Sequence, residues 1–354
     1  MAVKTLLKAV YQEVHSRLPE PLGDRLSDLA FGMTGKPYVV DAIAGKRIPR
    51  LDRGSVTFSL DFEMAWAWQY ARTQHKQCVE IGLRERSQVP EILRAFEAFQ
   101  IGATWATVGH LFLESCSRDG HGIAHPELPH VQHFQSRFWS FTDGDWYQFD
   151  PGTDVRRSPA WYAPDLVERI LSAHAGHEIA CHGFSHVGLG QSTPPAIVAA
   201  ELDACQDAAK RFDLHLGTLV YPGNEAGNFD VIAEKGFTSV RWYPVSWAEI
   251  ALPVRRDDGL WALQGSVCLE APSDASNLVR KVSLLKRYID RAVETGLNAH
   301  LWFHPSLRPG QIGGVLEPIL RYCADLREKG DLEIHTMDRL VQQVRRTPPL
   351  ETIP

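Results

Sequence analysis

From Val56 to Glu63 the chain alternates without a break: Val, Phe, Leu and Phe fall on one face, and Thr, Ser, Asp and Glu on the other. That period of two predicts a strand. Apolar positions then recur at helical spacing over Val89–Gln100, and the pattern goes on switching period down the chain. It predicts strands at Ala103–Val108, Glu178–Cys181, Thr218–Tyr221, Thr238–Trp242, Asn298–Phe303 and Leu332–His335. Between them it predicts helices at Pro164–Ala175, Pro195–Phe212, Phe229–Lys235, Leu278–Thr295 and Val315–Lys329, with a final helix after the last strand. Strand–helix alternation of this length implies an α/β fold with a parallel sheet, open or closed into a barrel, whose chemistry sits at the C-terminal strand ends. Residues 114–160 break the rhythm with Gly, Pro, His and aromatics, longer than a plain connection needs. A loop of that length is expected to cover a site.

Ahead of this region, Leu7, Val10, Tyr11, Val14 and Leu18 mark a helix ended by Pro19, followed by an irregular arm to residue 50. The expected layout is therefore an N-terminal helix and arm (1–50), a catalytic domain (51–346) carrying the insertion 114–160, and a tail (347–354). The helix is expected either to pack on the main domain or, through Lys4 and Lys8, to touch a membrane surface peripherally.

The 354 residues carry 37 Lys+Arg against 43 Asp+Glu, a net charge of −6, with no long basic block, which argues against a nucleic-acid partner. No run reaches the ~18 apolar residues of a membrane span, and the first residues lack the pattern of a secretory signal, so a cytoplasmic protein is expected. The cysteines (Cys78, Cys116, Cys181, Cys205, Cys268 and Cys323) are scattered and form no Cys-x-x-Cys. Neither a disulfide scaffold nor a cysteine-based zinc site is expected.

Candidate chemistry begins on the first strand. Asp61 and Glu63 share its polar face near the C-terminal end, and carboxylates that close repel unless a cation or a proton lies between them. Three His-x-x-x-His pairs occur, and position separates them. His121/His125 lies in an irregular loop and reads as surface. His300/His304 lies in a strand, where four residues span ~13 Å, too far for one ion. His182/His186 follows a strand and includes Gly183, so a strand end turning into a helical turn can bring both imidazoles to one metal. With one carboxylate from the first strand, the set leaves positions open for water and substrate, as catalytic metal sites do. His304, at a strand end before Pro305, has a pKa range suited to protonating a leaving amine.

Together these stretches resemble the polysaccharide deacetylases of carbohydrate esterase family 4, the NodB-homology group. The matching segments are Thr57–Glu63, Ala103–Gly109, Glu178–His186, Leu219–Asn224 and His300–Pro305, in the family's order, covering about residues 55–340. The insertion, with Trp146–Gly152 and Trp161–Pro164, resembles a subgroup associated with surface-glycan biosynthesis. The resemblance implies a distorted (β/α)7 barrel, a divalent metal (usually zinc), and hydrolysis of an N-acyl group, N-acetyl above all, on an amino sugar of a glycan or glycan precursor. It implies Asp61 as general base, Glu63, His182 and His186 as metal ligands, and His304 as general acid. The loop after Tyr221, with Asn224, would supply a backbone oxyanion donor. Trp66 and Trp302, with Trp68 and Trp242, are candidates for a sugar platform, although tryptophan also fills cores.

Two departures stand out. The family's paired aspartates are here split as Asp61 and Glu63, so base and ligand can be exchanged. The arginine usual near Pro222 is absent, and Arg241 at the end of the next strand is the candidate to replace it. These departures keep two other readings open: a metal-independent C–N hydrolase of allantoinase type, and a non-catalytic glycan-binding protein on the same fold.

Overall fold

The computed structural model describes residues 37–39, 42, 43, 46, 47, 50–136, 138–242, 249–272 and 274–346. The expected N-terminal helix with its membrane contact, most of the arm, and the tail lie outside the described residues.

The first alternating segment forms β1 (Gly54–Phe62), and it is buried along its whole length. In chain order there follow α1 (Cys78–Ala98), β2 (Thr104–Thr107), α2 (Pro164–Ser172), β3 (Glu178–Cys181), α3 (Pro195–Ala209) and β4 (Thr218–Val220). Next come α4 (Phe229–Glu234), β5 (Ser239–Arg241), β6 (Trp261–Leu263), β7 (Val267–Cys268), α5 (Ala275–Thr295) and β8 (Asn298–Phe303). The chain closes with α6 (Glu317–Lys329), β9 (Leu332–His335) and α7 (Met337–Arg346).

The main sheet runs β6–β5–β4–β3–β2–β1–β8–β7, with the short antiparallel strand Val254–Arg255 beyond β6 and all the labelled strands parallel. It curls as a half-barrel, in keeping with a distorted (β/α)7 architecture. One edge of β1 is shared: β9 pairs with Gly54–Thr57, and β2 takes over from Ser59 to Phe62. A central strand with neighbours on both edges and layers on both faces is buried twice over, which is why its polar face is as hidden as its apolar one.

Those inward polar groups find partners on neighbouring strands. Ser55 and Thr57 donate to Asn298 Oδ1 (3.0 and 3.2 Å), and Ser59 Oγ lies 2.8 Å from His300 Nε2 on β8. Arg241, at the end of β5, donates to the same Ser59 hydroxyl at 2.8 Å. The apolar face of β1 (Val56, Phe58, Leu60 and Phe62) packs toward the helices, with Phe58 edge-on to Phe96 of α1 at 5.7 Å. A buried hydroxyl ladder therefore leads along the concave side to Asp61.

Three elements differ most from expectation. Helix α1 begins at Cys78, eleven residues before the expected Val89. Pro90 lies inside the helix, and the buried stripe Ile81, Gly82 and Glu85 continues through Val89 to Ile92, Leu93 and Phe96. Strands β6 and β7 were not expected; at three and two residues they are too short for a periodicity, and pairing with β5 and β8 defines them.

Candidate metal and catalytic site

The C-terminal ends of β1, β3, β5 and β8 converge. Glu63 follows β1 directly, and its Oε1 lies 2.9 Å from His182 Nε2 and 3.1 Å from His186 Nε2. No helix forms between the two histidines. The turn instead reverses through left-handed backbone at Gly183 (φ 71°) and His186 (φ 62°), a conformation that glycine adopts without strain and histidine tolerates. Glu201 of α3 holds the turn from behind, accepting from the Phe184 and Ser185 amides, both at 2.8 Å, and from the Ser185 hydroxyl at 2.6 Å.

Tautomers follow from the outer partners. His182 Nδ1 lies 2.8 Å from the Val220 carbonyl, an acceptor, so Nδ1 carries the proton and the Nε2 lone pair faces Glu63. The Glu63 carboxylate and the His182 Nε2 lone pair, buried at 2.9 Å from each other with His186 Nε2 beside them, are stable only around a cation or added protons. The donor set of two imidazoles and a carboxylate suits zinc or a similar divalent ion and leaves further positions open.

Beside this triad, Arg241 grips Asp61 with both nitrogens: Nη1 donates to Oδ1 at 2.6 Å and Nη2 to Oδ2 at 2.5 Å. Arg241 is fully buried and Asp61 nearly so. Burial alone would raise the Asp61 pKa, but the Arg241 guanidinium beside it holds it below the usual carboxylate value. Asp61 therefore stays ionised at neutral pH.

His304 completes the ring of groups. Its Nε2 lies 3.7 Å from Glu63 Oε2, and its Nδ1 lies 2.7 Å from Glu270 Oε1, which also accepts its backbone amide at 3.0 Å. Burial disfavours the imidazolium, but Glu63, Glu270 and Asp61 outweigh it and raise the pKa well above the ordinary histidine value. His300, four residues earlier, behaves oppositely: burial and Arg241 push it down to about 3, so it stays neutral on Ser59.

The remaining candidates divide. Trp302 lies against His304 with ring centroids 5.7 Å apart and under the Arg241 guanidinium, while half-buried Trp68 lies 5.9 Å from the His304 ring. Trp66 is a correction. It is 1% exposed, its indole N–H donates to Trp161 O, and its ring packs on His110, Tyr147 and Trp161, so it is a core residue without a face for a sugar. Trp242 packs on Phe229 and Arg256. Tyr221 is buried and donates its hydroxyl to Gly227 O, which leaves only its backbone for the loop. In that loop the Asn224 amide is committed to Tyr221 O and the Glu225 amide to Pro222 O. Gly223, left-handed at φ 60°, has Trp139 of the insertion so close that a Cβ would lie 2.1 Å from its ring.

Several residues at the site escaped the sequence reading. Glu270 carries no motif of its own. Glu85, from α1, accepts the amides of Glu63 and Met64 at 2.9 and 3.1 Å, and burial with the nearby Glu63 raises its pKa to about 8. Trp139 lies edge-on to His186 with centroids 5.1 Å apart, and the only hint of it was the length of its loop. His125, read as a surface residue, is buried beside His110, Cys116 and Asp150, because the insertion folds back on the β2 end instead of projecting into solvent. His121 is exposed, so that pair shares no site.

No protein-family model matches this sequence, and no curated protein matches it. Solved structures do. A Mycobacterium smegmatis protein assigned as a polysaccharide deacetylase matches 90% of this chain and 98% of its own at 18% identity, with a TM-score of 0.56. A Pseudomonas aeruginosa PAO1 protein of the same assignment matches over 89% and 100% at 14% identity, with a TM-score of 0.60. The PuuE allantoinase matches over 88% and 99% at 15% identity, with a TM-score of 0.56. The chain therefore has the polysaccharide-deacetylase fold, one that an allantoinase shares. Among the described residues no helix is long and apolar enough to cross a membrane.

Proposed function

We propose that this protein is a metal-dependent hydrolase that removes an N-acyl group, N-acetyl foremost, from an amino sugar of a glycan or glycan precursor. The observation that carries this reading is the meeting of both His182 and His186 Nε2 atoms on Glu63 Oε1, beside an Arg241-clamped Asp61 and with His304 Nε2 3.7 Å from the other Glu63 oxygen. Bound to Glu63, His182 and His186, a divalent cation such as zinc would acidify a coordinated water and polarise the acyl oxygen.

The chain's own residues supply the rest. Asp61, kept ionised and aimed by Arg241, takes the proton of the attacking water. We assign Asp61 as base and Glu63 as ligand on this division: both Asp61 oxygens are engaged by Arg241, whereas Glu63 Oε1 faces the two imidazoles. His304, held by Glu270, keeps its proton at neutral pH and gives it to the departing sugar amine. Gly223, in the turn after Tyr221, is the amide we assign to the acyl oxygen. Trp302 and Trp68 flank His304 where a sugar ring would lie, and Trp139 limits the mouth from the insertion.

The test is metal content with acetate release from purified protein offered acylated amino sugars. Zinc with chelator-sensitive acetate release is the expected result. Full C–N hydrolysis of a cyclic ureide in chelator would favour the second reading, motivated by the allantoinase that shares the fold at equal TM-score to one deacetylase. Neither metal nor hydrolysis would leave a glycan-binding role.

A further inference from the structure

A second convergence lies under the insertion. His110, in the 3-10 turn Gly109–Phe112 after β2, meets Cys116, His125 and Asp150, with one ligand atom from each lying within 4.8 Å of all the others. The His110 and His125 Nε2 atoms are each 3.2 Å from Asp150 Oδ2, and Cys116 Sγ is 3.3 and 3.4 Å from the two Asp150 oxygens. His110 and Asp150 are wholly buried, and His125 is 7% exposed.

The proton positions make this cluster unsatisfied as it stands. His110 Nδ1 lies 3.2 Å from the Trp161 carbonyl and His125 Nδ1 3.2 Å from Glu127 Oε1. Both outer partners are acceptors, so the Nδ1 atoms carry protons and, in neutral rings, both Nε2 lone pairs point inward. Neither Nε2 has a hydrogen-bond partner. Two lone pairs aimed at a carboxylate oxygen in a dry site repel, and each unpaired acceptor carries its full desolvation cost. Protonating both rings instead would bury two imidazolium groups with centroids only 5.1 Å apart.

A divalent ion removes the conflict. With Cys116 as thiolate and Asp150 as carboxylate, two neutral imidazoles and one dication, the buried charge sums to zero. A tetrahedron with ~2.0–2.3 Å metal–ligand bonds has edges of about 3.3–3.7 Å, and the separations above already approach that. One thiolate, two imidazoles and a single carboxylate, four ligands in all, select zinc over magnesium or calcium and make a closed, structural site. His125 also holds left-handed backbone (φ 52°), as the His186 ligand candidate does. We propose that His110, Cys116, His125 and Asp150 bind a structural zinc ion that pins the 114–160 insertion to the end of β2.

This ion would act on the catalytic turn through the backbone. The Gly109 and His110 amides donate to Gly183 O and Phe184 O, between His182 and His186, at 2.8 and 2.9 Å. Trp146, further along the insertion, donates its indole N–H to Ser185 Oγ at 2.9 Å. Cys116 lies in no Cys-x-x-Cys, and its co-ligands come from a loop and a turn. That is why spacing alone argued against a cysteine-based zinc site.

The test uses the full chain and does not depend on the catalytic reading, because its signal comes from Cys116. Cobalt-loaded protein should show a thiolate-to-cobalt charge-transfer band in the near ultraviolet. The band should persist in His182→Ala and vanish in Cys116→Ala. Zinc content should fall by about one equivalent per chain in Cys116→Ala and, separately, in His182→Ala. If Cys116→Ala fails to fold, alkylation of Cys116 in the native protein decides: slow with zinc bound and at least about tenfold faster after chelation. Absence of the band, or equally fast alkylation with and without chelator, overturns the proposal and leaves a metal-free polar cluster.

Discussion

Around Glu63 and around Asp150 the same motif occurs twice: two imidazole Nε2 atoms face one carboxylate oxygen at 2.9–3.2 Å, in a buried setting. What surrounds each differs. Near Glu63 the neighbouring groups are an acid held by arginine and a histidine with 21% of its side chain exposed, the pair we propose as base and acid. Near Asp150 the next groups are the Cys116 sulfur and the Tyr162 hydroxyl, 3.1 Å apart, which complete the enclosure. The first set hangs on the ends of sheet strands, where position is set by the ladder; the second joins one turn to a long loop, where position needs a tie. A donor triad left open beside acid and base suits chemistry, and a closed donor quartet suits stapling.

The comparison can be broken most severely at His182. His182→Ala should lower acetate release by about a thousandfold or more while keeping the metal at Cys116; loss of both metals would mean the two centres are one cooperative unit. His304→Ala comes next, with turnover down about 10²–10⁴-fold and metal content unchanged, checked by steady-state kinetics beside elemental analysis. Arg241→Met leaves the Asp61 carboxylate buried without its partner. It should cost about 3–5 kcal/mol of stability in denaturant titration, with a fall in turnover and no loss of metal.

Smaller effects sharpen the comparison. Glu270 helps raise the His304 pKa. A raised pKa keeps the acid protonated to higher pH, and activity is lost as pH climbs through it. Glu270→Gln removes one of the carboxylates responsible, so the alkaline limb of the kcat profile should move down by about one pH unit; an unmoved limb would show that another group sets it. Timed chelation should be the mildest probe, with the open site emptying at least about tenfold sooner than the four-ligand site, followed by activity and by the cobalt–thiolate band.

Much of the fold was legible because its strands obey a strict period. β3, β8 and β9 fall on their expected residues, and β1 differs by two residues at its start and one at its end. Failures came where local pattern carries little signal: β6 and β7 exist only through their neighbours, and α1 starts eleven residues before the expected Val89. At the site, Asp61, Glu63 and the His182/His186 spacing were visible as sequence motifs. Glu270, Glu85 and Trp139 were not, since each reaches the site from an element with no motif of its own. Trp66 and His125 were misjudged for a related reason: residue type says little about which layer of a folded loop a side chain occupies.

By itself, the order of apolar and polar residues determined an alternating α/β chain and which short stretches end at the reactive edge of its sheet. Only the tertiary structure decided that Arg241 clamps Asp61, that Glu63 faces two imidazoles, and that a cysteine, two histidines and an aspartate meet beneath the insertion. Periodicity is a local property, written within a few residues by the pitch of strand or helix. The convergence of side chains far apart in the chain depends on strand order and curl, which no single segment encodes.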